Sequence, residues 1–432
     1  MSTTRRNFLF SSSAAAAATT ITGAVRAADV NNQLRAAIIG VNGRGTSHME
    51  GFTSADNVKV AVLCDVDEKV LAERAAQFEK KYGYKVETST DMRQVFDRKD
   101  IDVVGIATPN HWHALATIWA CQAGKDVYVE KPGSHNVFEG RKMVEAAKKY
   151  NRIVQHGVQL RSNPELRRAV ELLREGIIGD VYMARGLVFR ERGDLGHKPN
   201  AQPPKTLNWD MWQGPAQARE FSTKYFHYNW HWHWDFGNGD IGNQGVHETD
   251  MCLWGLGVDT LPSEVSAMGG KFLWDDDKEV PEVLSSAFVY PEQQKMIEFE
   301  VRPWRTNTEE GIGVGNIFYG KEGYMLVRNY NTFETYLGPN REPGPKGSSG
   351  EPLNRHFQNF ISAVRSRDAK SLHGPVETAH TSSALAHLGN ISYRLGRRLK
   401  FNPESETFVN DSEADQYLTR QYRAPYVVPE VV

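Results

Sequence analysis

The chain has 432 residues, 51 Lys and Arg against 53 Asp and Glu, a formal net charge of −2, and 40% hydrophobic residues. Such a length accommodates two domains with sizeable cores, and the balanced charge, with no basic run, leaves no footprint for nucleic acid. Cys64, Cys121 and Cys252 lie far apart in mostly apolar surroundings, so they read as buried thiols and not as a disulfide framework or a zinc site.

Thr4-Arg5-Arg6-Asn7-Phe8-Leu9 precedes a stretch of Ala, Ser and Thr that ends in Val25-Arg26-Ala27. Residues 1–27 are therefore expected to be a twin-arginine signal peptide, giving an exported, periplasmic protein. The apolar part is too short and too rich in alanine for a lasting membrane anchor. Its removal takes away Arg5, Arg6 and Arg26 and no acid, leaving a more acidic mature chain.

Residues 34–45 read as a short buried strand ending in Gly40-Val-Asn-Gly-Arg-Gly45, and residues 58–65 as a second strand ending in Asp65. That order is the one a dinucleotide-binding βαβ unit requires. Gly40, Gly43 and Gly45 let the backbone approach a pyrophosphate at a helix N-terminus, and Asn42 and Arg44 belong to the same loop. Asn42 replaces the middle glycine of the usual fingerprint. Asp65 is placed to accept the adenosine ribose hydroxyls, which favours NAD, while Arg44 leaves NADP open.

Residues 67–82 are predicted helical, followed by a buried strand over 101–108, a helix over 113–123 stopped by Gly124, and a strand over 126–129. A helix over 137–150 and a strand over 152–157 complete an alternating pattern, that of a doubly wound parallel sheet. Beyond it come a helix at 163–175 and strands at 181–190, 263–274, 284–290 and 295–301, with another pair flanking Lys321-Glu-Gly323. These predict a mainly antiparallel, open sheet covered by helices on one face, and residues 353–365 and 375–395 are also predicted helical. Residues 341–350, rich in Gly, Pro and Ser, are expected to be a loop, and the tail after residue 401 irregular.

Ligands of such sheets sit at the carboxyl ends of the strands. Two loops stand out there. One is 108–113, with Thr108, Asn110 and His113 as candidate cofactor contacts. The other is Glu130-Lys131-Pro132, where Lys131 can aim its ammonium at a substrate hydroxyl. Gln159 and Arg161, at the crossover between domains, are candidates for cofactor and substrate respectively. Tyr228-Asn-Trp-His-Trp-His-Trp-Asp235 is the most unusual segment. If extended, it puts Trp230, Trp232 and Trp234 on one side and His231 and His233 on the other. That arrangement suits carbohydrate stacking at Trp232 with hydroxyl contacts at His233, or plain core packing. A metal reading has no third ligand at fixed spacing, so no metal is expected.

Taken together, the glycine loop, Ala107-Thr-Pro-Asn-His-Trp-His113, Glu130-Lys-Pro132, Gly157-Val-Gln-Leu-Arg161 and Gly242-Asn-Gln-Gly-Val-His247-Glu-Thr-Asp250 resemble the Gfo/Idh/MocA oxidoreductase family. The resemblance implies a Rossmann domain over 33–157, an α+β substrate and oligomerisation domain over 158–400 and a tail over 401–432. It also implies catalysis at the seam by Lys131 and His247, with a Lys131–Pro132 peptide that is commonly cis in relatives. Where polyol-oxidising relatives carry an aspartate one turn before the histidine, this chain has Asn243, which can position substrate but supplies no negative charge. Asp240 is a candidate substitute, whereas Asp250 reads as a local cap or pair. Two activities stay open: an exported NAD(P)-dependent oxidoreductase of a sugar or sugar derivative, and an NAD-dependent glycosidase with a redox-neutral cycle. A carbohydrate-binding protein with a vestigial nucleotide fold is the third reading. Free NAD is scarce outside the cytoplasm, so the cofactor is expected to stay bound through turnover. The open sheet face, covered by another subunit in many relatives, predicts a homo-oligomer.

Overall fold

The computed structural model describes residues 32–303, 308–350 and 352–432; the expected signal peptide lies outside them. Six short strands, β1 (Leu34–Ile39), β2 (Val58–Cys64), β3 (Glu87–Ser89), β4 (Val103–Ile106), β5 (Asp126–Val129) and β6 (Val154–His156), form a parallel sheet. Their order is β3-β2-β1-β4-β5-β6. Helices cover both faces, which is why β1, β4 and β5 are near-continuous apolar runs. Helices α1 (Gly45–Ser54), α2 (Glu68–Tyr82), α3 (Met92–Asp97), α4 (Asn110–Gln122) and α5 (Val137–Lys149) make the crossovers. Local signals set their ends. The Asp67 carboxylate accepts from Lys69 N–H at the start of α2, and Gly83 closes it at φ +79°. Helix α4 begins at Asn110, three residues earlier than predicted, because Pro109 at its N-cap presets the entry.

The chain then crosses through a 3₁₀ turn (Gln159–Ser162) and α6 (Pro164–Arg174) into a ten-stranded sheet. Its strands are β7 (Val181–Phe189), β8 (Glu264–Gly270), β9 (Val283–Tyr290), β10 (Lys295–Arg302), β11 (Val314–Gly320), β12 (Gly323–Arg328), β13 (Thr332–Leu337), β14 (Glu342–Ser348), β15 (Leu399–Asn402) and β16 (Thr407–Phe408). The order is β14-β13-β12-β11-β7-β10-β9-β8-β15-β16, antiparallel except where β10 lies parallel to β7. On β10, Ile297, Phe299 and Val301 point into the core while Glu298, Glu300 and Arg302 alternate onto the other face. The inner face packs against α6, α9 (Gly245–Leu256) and α11 (Val376–Leu395), two short helices, α7 (Trp209–Gln213) and α8 (Gly239–Asn243), lying before α9.

Two expectations need correction. Residues 342–348 are a strand and not a loop; β14 is an edge strand, the one place where prolines such as Pro343 and Pro345 cost no ladder hydrogen bond. The tail is not irregular throughout. After β16 it crosses to the first sheet, where Tyr426, Val428 and Val432 join the core around Trp112. Helix α10 (Leu353–Ser366), predicted helical, packs on the first sheet, its Phe357 ring stacked 4.1 Å from Tyr128 and touching Phe52. The two lobes are therefore interlocked by apolar surface. Replacing the fully buried Phe357 by Ala is expected to cost about 3–5 kcal/mol in a urea titration, and a loss under about 1 kcal/mol contradicts this docking.

Candidate functional site

A cavity of about 400 Å³ opens at the carboxyl ends of β1, β2, β4 and β5. Its floor is the glycine loop. Gly40 sits at φ +82°, where a Cβ would come within 2.8 Å of the Ala107 carbonyl, and a Cβ on Gly45 would fall 2.0 Å from the Gly40 oxygen. Both positions therefore demand glycine. Gly43 lines the cavity, and nothing lies within 4 Å of where its Cβ would stand, so backbone there is open to a ligand. The Asn42 side chain is tolerated because its Oδ1 accepts from Arg74 Nη2 at 3.2 Å. Asp65 accepts from Val41 N–H (2.8 Å) and Asp67 N–H (3.1 Å), and burial pushes its carboxyl up to about 6.

Glu130 is the hub of the site. Arg44 Nε donates to its Oε1 at 2.7 Å, His48 Nε2 lies 3.2 Å from the same oxygen, and Lys131 N–H donates to Oε2 at 3.3 Å. Burial disfavours its charge, but Arg44, His48 and Lys131 outweigh that and hold the carboxyl well below the usual range. Arg44 is thus committed to Glu130, and Arg74 is the guanidinium that holds Asn42.

The Lys131–Pro132 bond is cis. Lys131 Nζ donates to the Asn243 carbonyl at 2.5 Å and approaches its Oδ1 at 3.4 Å. Burial, helped by Arg44 and opposed by Glu130, lowers its pKa to about 8. Asn243 Nδ2 in turn reaches Tyr228 OH and Asp240 Oδ1, both at 3.4 Å. Asp240, offered as a replacement acid, is instead clamped bidentately by Arg192 at 2.7 Å on each oxygen, so its charge is spent. His247 is buried, its Nδ1 has no partner, and burial together with nearby Lys131 drives its pKa far below the ordinary value. It is a neutral imidazole, with the Tyr330 ring 5.3 Å away.

The 108–113 loop is held by His113, whose Nδ1 meets the Pro132 carbonyl at 2.6 Å and Nε2 the Thr108 carbonyl at 2.7 Å. Thr108 and Asn110 line the cavity; Thr108 Oγ1 is buried without a partner, and Asn110 Nδ2 donates to Asn238 Oδ1 at 3.1 Å.

Four expected contacts fall elsewhere. Arg161 is locked bidentately to Asp250 at 2.8 and 2.9 Å, which also gives Asp250 a partner far away in sequence where a local one was expected. Gln159 is buried in its 3₁₀ turn and does not line the cavity. Trp232 lies under the Arg192 guanidinium at 5.3 Å, and His233 is fully buried against Tyr225. The reason is one of period. Asn229–Trp232 is a 3₁₀ helix, so the alternation of an extended strand does not apply, and Tyr228, Trp230 and His231 face the cavity. Gln244 and Tyr330 complete the surroundings of His247; nothing in the spacing pointed to Tyr330, which arrives on the β12–β13 turn.

The excursion of residues 199–236 folds over the cavity's β2 edge. Glu68 N–H donates to Thr206 O (2.9 Å), Asn208 N–H to Val66 O (3.0 Å), and His227 Nε2 lies 3.4 Å from Asp67 Oδ2. Leu207, Trp212, Phe221, Tyr225 and Phe236 give this excursion its own small core, and Trp112 Nε1 donates to the Met211 carbonyl at 3.0 Å. Among the described residues no group of three or more His, Cys, Asp or Glu is arranged to hold a metal.

Residues 34–158 match the model of the oxidoreductase family with the NAD-binding Rossmann fold, and residues 189–274 and 348–428 that family's C-terminal alpha/beta domain. The chain is 30% identical over 193 residues to a levoglucosan dehydrogenase of Pseudarthrobacter phenanthrenivorans, covering 44% of this chain and 42% of that protein. It is 28% identical over 162 residues to a glycosyl hydrolase family 109 protein of a Shewanella, covering 37% and 35%. These matches span less than half the length of either relative. In fold it resembles an aldose–aldose oxidoreductase of Caulobacter crescentus (TM-score 0.64, 17% identity, 86% of this chain and 100% of that one). It also resembles a levoglucosan dehydrogenase in complex with NADH and levoglucosan (TM-score 0.65, 19% identity, 85% and 99%). The chain belongs to the Gfo/Idh/MocA oxidoreductase family, with an NAD-binding Rossmann fold joined to the family's C-terminal domain.

Proposed function

We propose that the protein is an exported NAD-dependent oxidoreductase acting on a sugar or sugar derivative. The observation that carries this reading is the placement of Lys131 Nζ at the wall of the glycine-loop cavity, lowered to about 8 and beside Asn243. The residues present fit a dinucleotide. Gly43 leaves the backbone open toward the cavity, Gly40 and Gly45 permit the tight loop that carries it, Asp65 offers an acceptor for the ribose hydroxyls, and Thr108 Oγ1 has a free hydrogen-bonding position. The nicotinamide, when bound, supplies hydride acceptance and donation. Lys131 takes the proton of the substrate hydroxyl during oxidation and returns it during reduction. Asn243, which lines the cavity with Lys131, orients that hydroxyl; neutral His247 is outside the cavity lining, beside Tyr330. Asp65 supports NAD over NADP, since a carboxylate repels a 2′-phosphate. Tyr228, Trp230 and His231 supply aromatic faces and polar edges suited to a pyranose.

Tight retention of the nucleotide is part of the proposal, and the excursion of residues 199–236 across the Asp65–Asp67 edge supports it. So does the pair Arg5-Arg6, because the twin-arginine route carries folded cargo that has already collected its cofactor. A homo-oligomer through the open sheet is proposed as well. That face carries stacked Tyr324 and Tyr336 and, on β8, Met268 at 73% exposure. The Asn243 departure and the similarity to glycosyl hydrolase family 109 favour a second reading, a redox-neutral glycosidase using the same hydride and proton groups.

Four measurements test these statements. For sugar oxidation, kcat/KM is expected to rise with pH and level off above about 8, because Lys131 must be neutral to accept a proton. Lys131→Met is expected to lower kcat about 100- to 10,000-fold with an unchanged thermal midpoint. Protein denatured after extensive dialysis is expected to release NAD near one equivalent per chain, and His227→Ala, which opens the edge, less; a chain that is empty and takes up no NAD contradicts the proposal. Release of aglycone from aryl glycosides without added NAD selects the glycosidase reading, and sugar-dependent nicotinamide absorbance the oxidoreductase.

A further inference from the structure

Most of the charged groups around His247 already have partners. Glu130 is consumed by Arg44 and His48, and Asp240 by Arg192. Glu248 is buried beside them; burial pushes its carboxyl up to about 8, against the opposing pull of Gln244, Lys131 and Arg190. Among the described residues, neither Lys131 nor Arg190 has a carboxylate within ion-pairing distance; Lys131 meets only Asn243, and Arg190 Nη1 donates to Gln244 Oε1 at 2.5 Å. Arg190 is therefore a guanidinium with no carboxylate directly against it, whereas Lys131 keeps the Glu130 charge nearby.

Arg190 also has a place to act. With Phe189, Gly313, Val314, Asn329 and Tyr330 it lines a second cavity, of about 330 Å³, at the end of β7. Gln244 Nε2 donates to the Tyr330 hydroxyl, and the Tyr330 ring lies 5.3 Å from the His247 ring. Tyr330 thus sets the second cavity beside the His247 imidazole. Gln244 occupies only one arm of the guanidinium, and the remaining N–H groups keep the planar fork that carboxylates match.

We propose that this second cavity receives the acidic arm of the substrate, so that the sugar oxidised is one that carries a carboxylate, held by Arg190. Asn329 and the Tyr330 hydroxyl serve its neighbouring hydroxyl groups. The proposal rests on the sugar-oxidoreductase reading and sharpens it to a substrate class.

The test is calorimetric titration of the nucleotide-loaded protein with D-glucuronate and D-galacturonate, each against its parent sugar, D-glucose or D-galactose. At least one uronate is expected to bind about tenfold or more tighter than its parent, and Arg190→Gln is expected to reduce that ratio to about twofold or less. Arg190→Lys keeps part of it. Should Arg190→Gln fail to fold, the wild-type ratio is read at about 50 and about 500 mM salt, where it is expected to shrink. Equal affinity for acid and parent, no binding of either uronate, a ratio insensitive to salt, or a ratio that survives Arg190→Gln overturns the proposal. Identification of the nucleotide in the same preparation keeps the two claims apart, because a chain that refuses the dinucleotide overturns the oxidoreductase reading whatever the sugars do.

Discussion

The buried carboxylate of Glu130 organises the site. An anion at that depth is costly unless cations and donors surround it, and the chain supplies them from three places. Arg44 comes from the glycine loop, His48 from α1 and the Lys131 amide from the strand end itself. One charge therefore fixes the register between the loop that would cradle a pyrophosphate and the lysine that would serve the substrate. It also tunes that lysine. Burial lowers the Lys131 ammonium, and the neighbouring anion keeps it from falling further.

The same economy of charge runs through the seam. Asp240 is neutralised by Arg192, and Arg192 reaches Tyr228, which meets Asn243. Asn243 is therefore held by a chain of hydrogen bonds although it lacks the charge of an aspartate at this position. His247 lacks an anionic partner and sits as a neutral ring, which under the proposed function leaves proton transfer to Lys131. Arg161 and Asp250 tie the crossover turn to α9, a structural link that holds the histidine's helix in place.

Much of this was legible in the sequence because the parallel sheet and its loops follow short-range rules. Gly40 and Gly45 are required by the contacts a Cβ would make, and Glu130-Lys131-Pro132 ends a strand as a strand-end motif should. What failed was whatever depended on long-range pairing. Trp232 and His233 were assigned by strand alternation, but the segment coils into a 3₁₀ turn. Arg161 looked free because its partner lies 89 residues away. The prolines of β14 read as loop because only the sheet order shows that the strand is an edge. Tyr330 and Arg190 carried no local signal, since a hairpin turn and a strand end bring them to the site from distant stretches.

The central claim is that Lys131 is a buried amine poised to exchange a proton near neutral pH. Carbon-13 labelling of the lysine ε-carbons, with the Lys131 resonance assigned by its loss in Lys131→Met, lets that amine be titrated directly. The expected midpoint is about 8 in the native chain, moving lower in Glu130→Gln as the supporting anion is removed. A midpoint near the ordinary lysine value of 10.5, unmoved by Glu130→Gln, contradicts the account.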